Sequence, residues 1–541
     1  VHFSSDLYLH VGTPVGTTCL MPYEWQGSIA VAQVPQLNNE TWELTFKTVD
    51  ITVYSSDNEP VRTLSLIWDR LVPVIDSYMQ QFSIKLTPPV EDLKTLILPL
   101  FTAEAQQEAE MLLHSMRPGS IDVDTVGLTV NVIADAAEMD THANTDVIET
   151  MTDAELESFL ELWETWDSLL IYLVSLLAEQ HLTESEKGSL INLILDTRYE
   201  FVTRVSDQTT GRDFVRDQFV EGWAQLSRIF RKYYLHNPEK SGLGYLSFIT
   251  AADALVILDD LGPTFGIEIS RNGLIRLARI LGGEELELNY SQEINRALQQ
   301  LFQSEPSVIP DGSSWESSLI EKKNTLSLTQ ILSRINAYLV PSAFAEALPT
   351  FSEIKKWQVP ENDLAEYLDR VRGLLKSAHT SLAAKKDLPD NIQAVYHNLV
   401  PAVAWQESCF RQFVVADRKL TYLLSSNKSS VGIMQVNERV WRGIYDRQRL
   451  RWDITYNASA GCEIIDLYLH KYVLAKSGAG ILADDETLAQ LVYAMYNGGP
   501  RQYDKFLDRK AARDFYKSDD LFKEKYSWVK TDSWNNIEKC L

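Results

Sequence analysis

The chain has 541 residues, with 50 Lys and Arg against 75 Asp and Glu, a formal charge of −25. Apolar residues at 45% and aromatics at 10% suffice for buried cores and exclude wholesale disorder. The negative charge excludes general nucleic-acid binding, because a phosphate backbone needs a basic face.

In chain order, residues 1–61 read as a small β-containing element. Trp42, Leu44 and Phe46, then Val49, Ile51 and Val53, alternate with period two, and Gly, Pro, Asn and Asp punctuate the segment. Asn39-Glu-Thr41 matches a glycosylation sequon, a pattern short enough to arise by chance. Residues 62–385 carry helical periodicity. Capping boxes stand at Thr152/Glu155, ahead of Leu156, Phe159, Leu160 and Trp163, and at Thr183/Glu186, ahead of Leu190, Ile191 and Ile194. The acids among them fit solvated helix faces. No repeat of fixed period is present. Asp259-Asp260-Leu-Gly262 lacks the alternating ligands of a calcium loop and reads as a turn with a helix cap. Residues 304–318 are a loop by composition, and Pro341 and Pro349 mark further breaks.

The apolar run Leu169–Ala178 is too short for the ~20 residues a membrane span requires and reads as a core helix. The chain opens on Val-His-Phe-Ser-Ser; removal of a signal peptide and a cut chain would both give such a start. Cys19, Cys409, Cys462 and Cys540 show no CxxC spacing, so neither a zinc site nor a cofactor is expected. Four cysteines allow three pairings, and the residues alone leave disulfides and free thiols both open.

Charge divides the chain. Residues 391–541 hold 21 basic and 18 acidic side chains, net +3, which leaves −28 for residues 1–390. The chemistry lies in the near-neutral part, residues 386–541. There an apolar helical run, Ala402–Trp405, delivers Glu407, followed by Ser408, Cys409 and Phe410. A carboxyl group in partly apolar surroundings is disfavoured as an anion and can donate a proton near neutral pH. A Gly-led turn, Gly432-Ile-Met434-Gln435-Val-Asn437, presents amides suited to sugar hydroxyls and acetamido groups. A helix capped at Asp484 or Asp485, with Leu488, Leu491, Val492 and Met495 on its apolar face, ends at Tyr496-Asn497-Gly498-Gly499-Pro500.

The order of these three motifs resembles the soluble lytic transglycosylase family, with its lysozyme-like catalytic domain. Asn457-Ala-Ser-Ala-Gly461-Cys462 is similar to the helix-opening motif of that family. The resemblance spans roughly residues 390–510, and residues 1–385 carry none of comparable quality. The fold expected is mainly α: a β-containing N-terminal element, a large acidic helical region and a C-terminal goose-type-lysozyme-like domain.

The resemblance implies cleavage of the β-1,4 bond between N-acetylmuramic acid and N-acetylglucosamine in peptidoglycan glycan strands, without water, leaving 1,6-anhydromuramoyl ends. It makes Glu407 the single catalytic acid and then base, with the substrate's N-acetyl group replacing a second carboxylate. It places Ser408, Met434, Gln435 and Asn437 along the sugar subsites. Tyr496 is expected to orient Glu407, with Asn497 as a hydrogen-bonding support. It also implies Cys409 paired with Cys462, Cys19 with Cys540, and an exported, periplasmic protein. Departures are a segment Arg411–Lys428 that looks inserted, Met495 for Ala, and Ile433 for Leu. Two alternatives stand beside this reading. One is a muramidase using Glu438 or Asp446 as second carboxylate. The other is a helical scaffold whose acidic face docks a protein partner, with an auxiliary wall-remodelling domain.

Overall fold

The computed structural model describes residues 1–15, 18–57, 59–61, 65–101, 106–124, 127–135, 153–178, 182–207, 214–236, 244–260, 269, 271–282, 286–302, 351–360, 363–383, 390–416, 418–482 and 484–540. The molecule is mostly helical, with an N-terminal antiparallel sheet, and divides into two compact units: Val1–Ala143 with Gly242–Glu268, and Asn144–Ser241 with Ile269–Leu541.

The first unit opens with strands β1 (His2–Val15), β2 (Thr18–Asn38) and β3 (Glu43–Ser55), joined after helix α1 (Ser65–Gln80) by β4 (Ser83–Lys85). The four lie in the order β1-β2-β3-β4. The two alternating runs of the sequence are one strand, β3. Ala32 pairs with Asp50 but Gln33 with Thr48, so Val49 is an extra residue and stands 60% exposed. The bulge switches the buried face from even positions (Leu44, Phe46) to odd (Val53), because side chains alternate with period two. Ile29, Val31 and Val53 form the core here, under Ile75 and Met79 of α1. Then come α2 (Thr87–Ile97), α3 (Gln106–His114) and a hairpin, β5 (Arg117–Val123) with β6 (Leu128–Ile133). This hairpin lies inside the stretch read as helical; the alternation of Leu128, Val130 and Val132 was its only signal, and it is short.

The second unit begins with α4 (Asp153–Ala178), α5 (Glu184–Asp207) and α6 (Phe214–His236). Trp163 of α4 lies flat on Phe201 of α5 at 3.6 Å, and Trp166 meets Phe219 of α6 edge-on. The Thr183/Glu186 capping box closes in both directions: the Thr183 N–H donates to Glu186 Oε2 at 2.8 Å, and the Glu186 N–H to Thr183 Oγ1 at 3.3 Å. The run Leu169–Ala178 ends α4, with Leu169, Leu170 and Val174 fully buried, and no helix of the described residues is long and apolar enough to cross a membrane. Helix α7 (Gly244–Asp260) packs on α2 in the first unit, and α8 (Arg271–Gly282) and α9 (Arg296–Phe302) continue the second. Thr152, Gly262, residues 304–318, Pro341, Pro349 and the Cys19 side chain lie outside the described residues.

The C-terminal part runs α10 (Phe351–Lys355), α11 (Leu364–Ala383) and α12 (Asp390–Ser408). The segment that looked inserted is a hairpin, β7 (Phe413–Ala416) with β8 (Lys419–Tyr422); a short ladder, β9 (Ser430–Val431) with β10 (Val436–Asn437), follows. Next come α13 (Arg447–Trp452), α14 (Ile454–Tyr468), α15 (Ala479–Leu482), α16 (Asp485–Gly498), α17 (Gln502–Ala512) and α18 (Lys517–Lys530).

The cysteine pairing departs from expectation. Cys409 is bonded to Cys540, with Cα atoms 6.1 Å apart, and Cys462 is a buried free thiol. The Tyr396 hydroxyl donates to the Cys462 carbonyl, which sets Cys462 against α12 thirteen residues before Cys409. At 1.5 Å per residue that is roughly 20 Å up the helix axis, beyond the reach of a disulfide.

Candidate active site

Helix α12 buries Ala402, Val403, Ala404 and Trp405, and its last turn carries Glu407. Two consecutive left-handed residues, Cys409 (φ 51°) and Phe410 (φ 61°), end it. The Phe410 N–H turns back to the Ala404 carbonyl, closing the helix end over seven residues. Side chains without glycine's freedom hold this geometry because both are anchored. Cys409 is tied to Cys540, and Phe410 is fully buried beside Trp405 and Trp534.

The Gly432 turn is built by two amides. Gln412 Oε1 accepts the Ile433 N–H at 2.7 Å, and Asn457 Oδ1 accepts the Met434 N–H at 2.9 Å. Their NH₂ groups are also engaged: Gln412 Nε2 donates to the Leu450 and Arg451 carbonyls, Asn457 Nδ2 to those of Val431 and Leu450. Gly432 is left-handed (φ 77°), and a Cβ there would lie 2.4 Å from both amides. Met434 is fully buried on Gly461, where a Cβ would meet its Cγ at 2.5 Å.

The expected site residues fall around this frame. Ser408 is buried, its hydroxyl between the carbonyls of Ala404 and Ile433 at 2.9 and 2.6 Å, bridging α12 to the turn. Gln435 Nε2 donates to the Gly432 carbonyl. Asn437 caps the N–H groups of Arg439 and Val440 and donates to Ser429 Oγ. Tyr496 donates to the Met434 carbonyl at 2.6 Å, and Asn497 is exposed at the end of α16.

The tyrosine on the acid is a different one. Tyr493 Oη donates to Glu407 Oε1 at 2.9 Å, where the sequence pointed to Tyr496. Both lie on α16 three residues apart, hence on neighbouring faces. Every residue from Thr487 to Tyr496 is buried, so periodicity could not single out Tyr493. Its ring stacks on Phe522 of α18 at 4.1 Å, nearly parallel. Gln412 was likewise missed, because it falls in the segment that departs from the family spacing.

Burial pushes the Glu407 carboxyl up to about 7, against the opposing effect of the Tyr493 hydrogen bond. The side chain is half-buried, and among the described residues no charged group contributes to its shift. Burial, and then the charge of Glu407, keep Tyr493 protonated well beyond the ordinary tyrosine range. The arrangement is a lone carboxyl group that can carry a proton at neutral pH, oriented by a neutral donor. The two candidate second carboxylates are engaged elsewhere: Glu438 accepts from Arg451 at 2.5 and 2.7 Å and from Arg447 at 3.1 Å, and Asp446 caps α13. Among the described residues no group of three or more His, Cys, Asp or Glu is placed to hold a metal ion.

Residues 389–518 match the family model described as the transglycosylase SLT domain. No curated protein and no solved structure matches the chain.

Proposed function

From the transglycosylase SLT domain at residues 389–518, which implies a transglycosylase with peptidoglycan as its substrate, we propose that this protein is a lytic transglycosylase with Glu407 as its only catalytic acid and base. The observation that carries the proposal is the lone, proton-holding Glu407 under Tyr493. Protonated Glu407 gives its proton to the glycosidic oxygen as the bond to C1 of N-acetylmuramic acid breaks, and N-acetylglucosamine leaves. The acetamido oxygen of the same sugar stabilises the positive C1. Glu407, now a carboxylate, takes the proton of the C6 hydroxyl, and O6 closes on C1 to give the 1,6-anhydro end. The acid is thereby restored, and no water is consumed.

One feature of the fold supports this over hydrolysis. A hydrolase would need a second carboxylate to position water, and Glu438 and Asp446 are spent on arginines and a helix cap. The turn Gly432–Asn437, with Ser408 behind it and Tyr496 and Asn497 at the end of α16, would form the sugar subsites, within a catalytic domain taken as residues 386–541. The Cys409–Cys540 disulfide fits an oxidising, exported location.

Mass analysis of products from purified glycan strands tests the reaction. Anhydro ends are expected; ends one water heavier would make the protein a muramidase. Glu407→Gln, nearly isosteric, is expected to abolish turnover in a folded protein, and persistent activity would remove Glu407 from the mechanism.

A further inference from the structure

Helix α5 lies outside the matched domain and belongs to the acidic part of the sequence, yet two adjacent residues of it reach the frame around Glu407. Arg198 is fully buried and donates to the carbonyls of Val440 and Arg442, both at 2.9 Å, in the stretch that follows the Gly432 turn. Tyr199 turns to the other side. Its hydroxyl donates to the Tyr496 carbonyl at 3.0 Å and accepts from Tyr468 Oη at 3.3 Å. The hydroxyl thus both donates and accepts, bridging two separate helices, α14 and α16.

The ring is held as firmly as the hydroxyl. A Cβ on Gly499, which is left-handed at φ 83°, would lie 2.6 Å from Tyr199 Cδ2, so the end of α16 closes directly on the Tyr199 ring. Tyr496 and Tyr493 share that helix, the first holding Met434 of the turn and the second Glu407. Tyr199 also lies close enough to feel the charge of Glu407.

We infer that Tyr199 is a positioning residue for Glu407: it fixes the main chain at the end of α16, and through α16 the angle at which Tyr493 meets the acid. The upstream helices would therefore complete the catalytic machinery and not merely flank it. This rests on the reaction proposed above.

The test uses the full chain and purified glycan strands. Tyr199→Phe keeps the ring on Gly499 and removes only the hydroxyl. Loosening α16 weakens the Tyr493 bond, which favours the anionic form of Glu407, so the alkaline limb of the rate profile is expected to move to higher pH. The expected kcat is about ten- to a hundredfold lower, with KM within about twofold of wild type, as for a group misplaced only in the reacting geometry. Glu200→Gln serves as control, because Glu200 pairs with Arg501 from the same helix without touching Tyr496. It is expected to retain the wild-type kcat and pH limb. A Tyr199→Phe enzyme that melts lower but keeps both wild-type kcat and wild-type limb would overturn the inference, and so would a Glu200→Gln enzyme slowed as much as Tyr199→Phe. Failure of the wild-type chain to form anhydro ends would instead overturn the reaction itself, so the two failures are distinguishable.

Discussion

A carboxyl group titrating near 7 in the folded state has two consequences of opposite sign. In the reaction proposed above, turnover requires the protonated form, so kcat/KM should fall as pH rises through about 7, a limb measurable on soluble strands. Removing the Tyr493 hydroxyl removes the bond that favours the anion; Tyr493→Phe should move this limb to higher pH while lowering kcat, and an unmoved limb would discount the bond. Stability behaves differently. Because the folded pKa is raised above the ordinary carboxylate value, the folded protein binds the proton more tightly than the unfolded chain. Stability is therefore lost as pH rises from about 4.5 through 7, by on the order of 3 kcal/mol. Glu407→Gln should consequently unfold at higher denaturant than wild type at pH 8, and at nearly the same denaturant at pH 4. Glu407 was legible from its motif as the candidate acid. Its donor was not, because α16 is buried on every side and offers no polar face to distinguish one tyrosine from another.

At the scale of elements, the Gly432 turn and the end of α12 are held from outside themselves. Gln412 and Asn457 each make three hydrogen bonds, so neither amide can yield to a new Cβ. Gly432→Ala combines that clash with a left-handed backbone and should destabilise by about 2–4 kcal/mol, read as a shifted urea midpoint. The end of α12 depends on Cys540, contributed by the last turn of the chain. Cys540→Ser should cost about 2–4 kcal/mol in the same measurement, and a reducing agent should do the same to wild type but not to the variant. The turn was visible in the sequence through its glycine, since a left-handed position announces itself in residue type. The hairpin β7–β8 and the amide of Gln412 were visible only as a departure from spacing.

For the second unit as a whole, the charge division at residue 390 takes on a structural meaning. Arg501 of the basic part pairs with Glu200 at 2.7 Å, Glu221 at 3.3 Å and Asp196 at 3.6 Å, all from the acidic part. Arg442 binds Asp167, which also takes Arg198 at 2.9 Å, in a fully buried cluster. Burial alone would push Asp167 up, but the two guanidiniums outweigh it and hold the carboxyl below its ordinary value. Its contribution is thus present above the ordinary carboxylate range and lost as pH falls through the lowered one, opposite in sense to Glu407. Asp167→Asn leaves two buried cations under-compensated and should cost about 3–5 kcal/mol at pH 7, with the difference from wild type shrinking in acid.

The sequence by itself determined what depends on a few neighbouring residues: the alternation of β3, the capping box at Thr183, the glycine of the turn and the motif that marks Glu407. Such features are set by backbone conformation and side-chain bonding within about one helical turn, so residue types report them directly. The tertiary structure alone decided which tyrosine meets the acid, which cysteine closes on Cys409, and that Arg198 and Tyr199 join a site some 200 residues downstream. Those choices are made by which faces pack together once the helices have formed. A buried donor or charge then takes the partner that packing brings within 3 Å, because leaving it unpaired costs more than any local preference.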